Sequence, residues 1–216
     1  MYKILYICLL LVISSISPLT LGEDHSSKIV LVTGFEPFAS YTVNPSALVA
    51  EALDGSMIDD NKIVGVVLPV DFNESSSIAI KEINRINPYM VISLGLSPKA
   101  KSIEIEVFAY NLEWDPFSDK PLYSFKPVIP SAPFVEKTNI DVLSTYSKIK
   151  ENGIPTSISL SPGFYVCNSL FYNLLWYKED NNLSMKVSFI HLPMIDDEFT
   201  VDDLIESASI AIEDNS

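Results

Sequence analysis

The sequence is poor in cysteine, histidine and basic residues, and each shortage argues against a class of protein. Two cysteines cannot build a framework of several disulfides, and two histidines argue against a histidine-based metal site. The 14 Lys and Arg residues stand against 28 Asp and Glu, which gives a formal net charge of −14. Such a charge repels phosphate backbones, so nucleic-acid binding is not expected. Hydrophobic residues make up 48% of the chain, enough for a full core and unlike a disordered chain.

The longest apolar stretch lies at the N-terminus and has the pattern of a secretory leader. An early lysine precedes an apolar run over residues 4–13, and small residues then lead to Gly22. This pattern predicts a signal peptide over 1–22 and a mature domain over 23–216. An uncleaved anchor is the alternative, but the run is short and Pro18 follows it closely. We therefore expect a secreted chain, or one in the lumen of the secretory pathway, with no membrane contact after cleavage.

Removal of this leader would leave the mature chain with one cysteine, Cys167. Cys8 falls inside the leader, and His25 lies next to the predicted cleavage point. His191 is then the one histidine in the part of the chain that we expect to fold. An unpaired cysteine in an exported protein indicates a reactive thiol or a partner for an intermolecular bond.

Apolar strand patterns alternate with helical patterns along the mature chain. The strand patterns cover 28–33, 63–70, 89–94, 103–111, 154–160 and 186–192, and the helical patterns cover 45–53, 75–84, 138–151, 167–177 and 200–212. Residues 112–134 are rich in Pro, Asp and Ser and predict a long loop or an irregular hairpin. Apolar strands separated by helices imply an α/β fold, a single-domain α/β/α sandwich around a mixed, mainly parallel, twisted sheet.

Cys167 and His191 both fall where such a sheet would place a functional site, near the carboxyl ends of strands. Cys167 begins a predicted helix, and a helix N-terminus favours the thiolate form of cysteine. His191 ends an apolar strand and is followed by Leu192 and Pro193. Spacing alone leaves two interpretations open: a reactive Cys–His pair, or a buried structural thiol beside a core histidine.

Other candidate residues are ambiguous when they are considered one at a time. Glu104 and Glu106 share one face of a predicted strand, and either is typical of a solvated charge. Phe35 and Phe38 are typical of core aromatics. Asn44 is a good N-cap for the helix that begins at the following proline, and it could line a pocket as well.

Three separated motifs resemble pyroglutamyl-peptidase I, the pyrrolidone-carboxylate peptidase family of cysteine peptidases. The first is KIVLVTGFEPFASYTVNPS at 28–46, the second is YVCN at 165–168, and the third is FIHLP at 189–193. The segment from Gly95 to Asn111 is similar to the loop and strand that carry the family's glutamate. The similarity extends from about residue 28 to the C-terminus.

This resemblance implies a reaction and a set of site residues. Cys167 would be the nucleophile, His191 its acid–base partner, and Glu106 the group that orients the histidine in a Cys–His–Glu triad. The substrates would be peptides with an N-terminal pyroglutamate (5-oxoproline), cleaved through a thioester acyl-enzyme without cofactor or metal. Phe35, Phe38 and Val166 would form the apolar wall of the lactam pocket, with Asn44 as a further binding residue.

The sequence departs from the family pattern in the loop after the first glycine of that segment. The family's Gln, which contacts the lactam, is replaced by Leu96, and its Arg position falls on Ala100. Because leucine cannot hydrogen-bond a lactam, we expect Leu96→Gln to raise kcat/KM on pyroglutamyl substrates. These departures leave open a second hypothesis, a weak or inactive secreted homologue that binds blocked peptide N-termini. A third hypothesis is a secreted thiol protein that pairs Cys167 with a partner.

Two further features concern the surface of the chain. NES at 73–75 and NLS at 182–184 match the N-glycosylation sequon, so Asn73 and Asn182 are candidate glycan sites. The sequence leaves open whether the chain forms a homo-oligomer.

Overall fold

A computed structural model describes residues 28–120 and 124–216; the predicted leader over 1–22, with Cys8, and also His25 lie outside these ranges. Within them the chain forms nine strands and five helices. The strands are β1 (Lys28–Phe35), β2 (Met57–Ile58), β3 (Asn61–Leu68), β4 (Met90–Leu96), β5 (Ile103–Glu106), β6 (Phe108–Tyr110), β7 (Val135–Lys137), β8 (Thr156–Ser159) and β9 (Lys186–Leu192). The helices are α1 (Pro45–Leu53), α2 (Glu74–Ile86), α3 (Val142–Glu151), α4 (Val166–Asp180) and α5 (Val201–Asp214).

Seven of these strands form one mixed sheet in the order β2-β3-β1-β4-β9-β5-β8. Strands β3, β1, β4 and β9 are parallel to one another. At one edge β2 is antiparallel to β3; at the other, β5 is antiparallel to β9 and parallel to β8. The predicted sandwich with a mixed, mainly parallel sheet is confirmed.

Helices cover both faces of the sheet and divide the core into two apolar clusters. Helices α1, α3 and α5 pack on one face, where Ile92, Ile190 and Leu192 are buried. Helices α2 and α4 pack on the other face, where Phe171 and Phe189 are buried. Strand β4 is buried along its whole length, which explains why its sequence is an unbroken apolar run. Among the described residues, none of the helices is long and apolar enough to cross a membrane.

The strand predicted over 103–111 is divided between two sheets. Strand β5 stays in the main sheet, whereas β6 pairs with β7 in a separate two-stranded sheet. The residue between them, Val107, donates its backbone N–H to Ser159 and accepts a bond from the backbone N–H of Thr138. The chain therefore changes partners at Val107, a change that local alternation does not reveal.

Helix α3 begins at Val142, four residues later than predicted. Thr138 donates its hydroxyl to the Val187 carbonyl at 2.6 Å. The Asn139 side chain accepts a bond from the N–H of Val187 in β9 and donates one to the carbonyl of Met185, just before that strand. These bonds hold the segment extended. Asp141 then caps the helix by accepting a bond from the N–H of Ser144.

Candidate active site

The candidate site lies where three strands of the main sheet run side by side. The order β4, β9, β5 brings Gly95, His191 and Glu104 into one row, since His191 pairs with Gly95 on one side and with Glu104 on the other. His191 alternates with the buried Ile190, so its side chain points to the sheet face that α2 and α4 cover. Helix α4 carries Cys167 over this row.

Cys167 is the second residue of α4 and is half-buried, with no disulfide. Its sulfur sits directly above Gly95: a Cβ added to that glycine would lie 2.9 Å from Sγ and 2.8 Å from Cζ of Phe189. Glycine is therefore the one residue type that leaves the thiol this room. The first backbone N–H groups of α4 have no partner within the helix, and its first turn carries no acidic side chain.

The residue that follows the thiol anchors the start of α4. Asn168 is fully buried and accepts a bond from the N–H of Tyr110 at 2.8 Å. Its amide group donates to the carbonyls of Tyr110 and Leu112, both at 2.8 Å. One turn of helix is thus fixed to the segment that follows β5, and the position of Cys167 is fixed with it.

His191 is buried and hydrogen-bonded to Glu106, with Nδ1 of the ring 2.7 Å from Oε1 of the carboxylate. Its ring also packs against Phe189, with 5.0 Å between the centroids. Burial alone would lower the pKa of His191. The charge and hydrogen bonding of Cys167, followed by those of Glu106, outweigh that effect and raise the pKa from 6.5 to about 10. This environment favours the imidazolium form of His191.

Glu106 is 1% exposed, and its second oxygen, Oε2, has no hydrogen-bond partner among the described residues. Glu104 is only partly buried and lies closer to the carboxyl end of β9, since it pairs with His191 while Glu106 lies two residues deeper. Glu104, Glu106 and His191 each offer one atom within 4.8 Å of the others, which makes them the group among the described residues that could hold a metal ion.

The four residues expected to bind the substrate lie in three kinds of place. Phe35 and Val166 are buried in the same apolar cluster, on the face of the sheet that carries the site. Phe38 is partly exposed on the loop after β1 and packs against Tyr41 at 5.5 Å between centroids. Asn44 is buried as the N-cap of α1: its oxygen accepts bonds from the N–H and hydroxyl of Ser46, and its amide donates to the Glu36 carbonyl. The cap interpretation of Asn44 is confirmed.

The loop positions that depart from the family pattern lie beside the site. Leu96 ends β4 and is buried. It follows Gly95, where a Cβ would point toward the thiol of Cys167. Alternation along the strand turns Leu96 to the opposite face, the side of the buried Leu94. The expectation that Leu96→Gln would restore a lactam contact therefore loses its geometric basis. Ala100 is buried in the turn that follows.

Some residues of the site were not singled out from the sequence. The ring of Tyr165, the N-cap residue of α4, makes edge contacts with Phe72 and Phe117 at 5.3 and 5.7 Å between centroids. Phe117 is 65% exposed, so an aromatic surface next to the thiol is open to solvent. The aromatic content of the loop after Asn111 was visible in the sequence, but nothing local indicated that it folds against α4.

A thiol at a helix start, a buried imidazole and a carboxylate on Nδ1, on an α/β/α sandwich, are together typical of cysteine hydrolases. A profile of the pyroglutamyl peptidase family matches residues 28–215. The pyrrolidone-carboxylate peptidase of Pyrococcus furiosus is 35% identical over 168 residues, which cover 77% of this chain and 81% of that protein. The pyrrolidone-carboxylate peptidase of Bacillus mycoides is 32% identical over 172 residues, 78% of this chain and 79% of that protein.

The fold agrees with these matches. The solved structure of the pyrrolidone carboxyl peptidase from Thermococcus litoralis is similar with a TM-score of 0.82 at 27% identity, covering 87% of this chain and 93% of that chain. A structure of the Pyrococcus furiosus enzyme gives a TM-score of 0.80 at 32% identity, covering 86% and 96%. The chain belongs to the pyroglutamyl peptidase family and is a pyroglutamyl-peptidase I-like enzyme.

Proposed function

We propose that this chain removes pyroglutamate from the N-terminus of peptides, with Cys167 as nucleophile, His191 as acid–base group and Glu106 as the group that orients the histidine. The observation that carries the proposal is the bond of 2.7 Å between Glu106 Oε1 and His191 Nδ1, beside the only cysteine of the predicted mature chain. The relatives named pyrrolidone-carboxylate peptidase supply the substrate class.

The reaction begins with attack of the Cys167 thiolate on the carbonyl that joins 5-oxoproline to the next residue. Unpaired backbone N–H groups at the start of α4 would stabilise the oxyanion of the tetrahedral intermediate. His191 then gives its proton to the leaving amine, and the peptide departs. Water, deprotonated by His191, cleaves the thioester and releases pyroglutamate. Glu106 keeps Nδ1 protonated and faces the imidazolium charge throughout.

Phe35, Phe38 and Val166 would form the apolar side of the lactam pocket. This role is supported by the positions of Phe35 and Val166, which share one apolar cluster next to the thiol. No cofactor is required by any step.

A fluorogenic pyroglutamyl amide tests the reaction on the mature chain. We expect hydrolysis of the pyroglutamyl amide and much slower hydrolysis of the prolyl amide, which lacks the lactam carbonyl. Cys167→Ser should lose most turnover while it keeps the wild-type melting temperature. A folded chain that hydrolyses the pyroglutamyl amide equally well after Cys167→Ser would refute the mechanism.

Iodoacetamide gives a second measurement that does not depend on turnover. It should label Cys167 in the folded protein, with loss of activity in step, because a thiolate paired with imidazole alkylates near neutral pH and a buried thiol resists. His191→Ala should slow the labelling. Ready labelling without hydrolysis of any pyroglutamyl amide would instead favour the binding-protein hypothesis.

We also propose that the chain is exported and cleaved after Gly22. The supporting features are the leader pattern over 1–22 and the exposed sequon residues Asn73 and Asn182. N-terminal sequencing of secreted material should find a start near Glu23, and glycosidase treatment of the same sample should lower its mass. An intact N-terminus on a membrane-bound product would contradict the proposal.

A further inference from the structure

His191 is flanked by a second carboxylate that the proposed mechanism does not use. In the row across the sheet, Gly95 lies on one side of His191 and Glu104 lies on the other. The thiol of Cys167 sits above Gly95. The imidazole therefore lies between the thiol and Glu104, while Glu106 approaches the ring from two residues deeper along the same strand.

The distance between Glu104 and the ring is short enough for a strong charge interaction. A carboxylate oxygen of Glu104, a carboxylate oxygen of Glu106 and a ring nitrogen of His191 all lie within 4.8 Å of one another. Among the described residues, no side chain forms a hydrogen bond or ion pair with the Glu104 carboxylate. It is partly buried, which reduces screening by water.

Of the elements packed against His191, α4 and β5 bring ionisable side chains to the ring. Cys167 on α4 and Glu106 on β5 raise the pKa of His191, and Glu104 on β5 places a carboxylate oxygen within 4.8 Å of a ring nitrogen. The neighbour on β4 is Gly95, and the ring contact on β9 is Phe189; neither can ionise. Glu104 is nearer to the imidazole than to the thiol. Its strand, β5, is separated from β4, the strand below the sulfur, by two strand spacings of roughly 4.8 Å each.

We propose that Glu104 is a positioning residue for the reaction: a second carboxylate that stabilises the His191 imidazolium from the side opposite Cys167. Its role rests on the proposed function, in which the imidazolium must last until it protonates the leaving amine. Glu104 would extend activity to higher pH, since a ring held by two carboxylates loses its proton later than a ring held by one.

Glu104→Gln tests this role because it keeps the shape of the side chain and removes the charge. In the profile of kcat/KM against pH, the decline on the alkaline side should move to lower pH by about half to one unit. This is the effect expected when one partly screened charge within 4.8 Å of the ring is removed. The change should appear in kcat more than in KM, because Glu104 lies on the far side of the ring from the attacking sulfur. Glu104→Asp, which keeps the charge, should shift this decline less.

Glu151→Gln is the matched control, since it removes the same charge from the exposed end of α3, on the opposite face of the sheet. In this control, the alkaline decline in kcat/KM should lie within about 0.2 pH unit of that of the wild type. The pKa of the His191 ring can be followed by NMR titration, with the signal assigned from its loss in His191→Ala. This pKa should fall most in Glu104→Gln, less in Glu104→Asp and not at all in Glu151→Gln. Glu104→Thr serves as a second uncharged variant if the glutamine variant does not fold.

Two results would overturn the proposal. One is a His191 titration in Glu104→Gln that coincides with wild type. The other is a loss of rate that is equal at every pH and comes without any shift in the titration, which indicates a purely structural role. If the wild-type chain hydrolyses no pyroglutamyl amide, the proposed function fails, and the NMR titration still decides the role of Glu104.

Discussion

Replacement of Gly95 by alanine is the sharpest test of the site, because it adds one methyl group beneath the thiol. The new Cβ would stand 2.8 Å from Cζ of Phe189 and 2.9 Å from Sγ of Cys167, both closer than non-bonded carbon or sulfur tolerates. Gly95 lies in a regular strand, so alanine meets no backbone strain there and the effect is one of space alone.

The expected magnitude follows from the two atoms that must move. Overpacking of this kind costs about 1–3 kcal/mol of stability, or about 3–9 °C in melting temperature for a chain of this size. If the sulfur moves by about 1 Å, kcat/KM on a pyroglutamyl amide should fall by about 100-fold. Alkylation of Cys167 by iodoacetamide should also slow, since the thiol leaves its position beside His191.

Two comparisons separate the contact with sulfur from other effects. In a Cys167→Ala background, Gly95→Ala should lose less stability than in wild type, because one of the two clashing atoms is gone. Gly153→Ala is the control: nothing lies within 4 Å of its added Cβ, but its φ of +83° strains alanine, so stability falls while kcat/KM stays. Wild-type activity and melting temperature in Gly95→Ala would refute the reasoning.

The remaining predictions concern the helix start and the histidine. Asn168→Ala should lose about 1–3 kcal/mol for the buried backbone groups it leaves unpaired, and kcat should fall because the thiol is less well fixed; calorimetry and steady-state rates measure both. Glu106→Gln should lower kcat by about 10²–10⁴-fold without a matching rise in KM. Because the pKa of His191 is raised to about 10, the imidazolium is lost as pH rises through that value, so kcat/KM should hold to high pH and then decline; a decline centred near 6.5 would contradict this environment.

The sequence predicted the main elements well where each element is decided locally. The unbroken apolar runs became the parallel strands at the centre of the sheet, and β9 has the predicted bounds of Lys186–Leu192. Thr200 begins α5 with a capping box that joins it to Asp203, a local signal close to the predicted start. Elements decided by distant partners were placed less well, such as the break at Val107 and the late start of α3.

The same distinction applies to the site. Cys167 and His191 could be found by elimination and by their places at a helix start and a strand end. The choice between Glu104 and Glu106 could not be made from alternation, because both lie on one face of β5. The resemblance to the family indicated Glu106, and the register of β5 against β9 places the two carboxylates differently around the ring. The leader, the export and the glycan sites remain predictions.

The direction of β5 explains why the two carboxylates have different environments. The rule that sites form at the carboxyl ends of strands locates His191, at the end of β9, but β5 runs the opposite way. Its first residues therefore reach the mouth of the site and its last residues lie deeper in the sheet. Glu104 therefore stays partly exposed. Glu106 is only 1% exposed, so bulk water does not compete for its hydrogen bond with Nδ1 of His191. A bond in such low-dielectric surroundings is stronger, so an antiparallel strand is what gives this histidine a buried orienting acid.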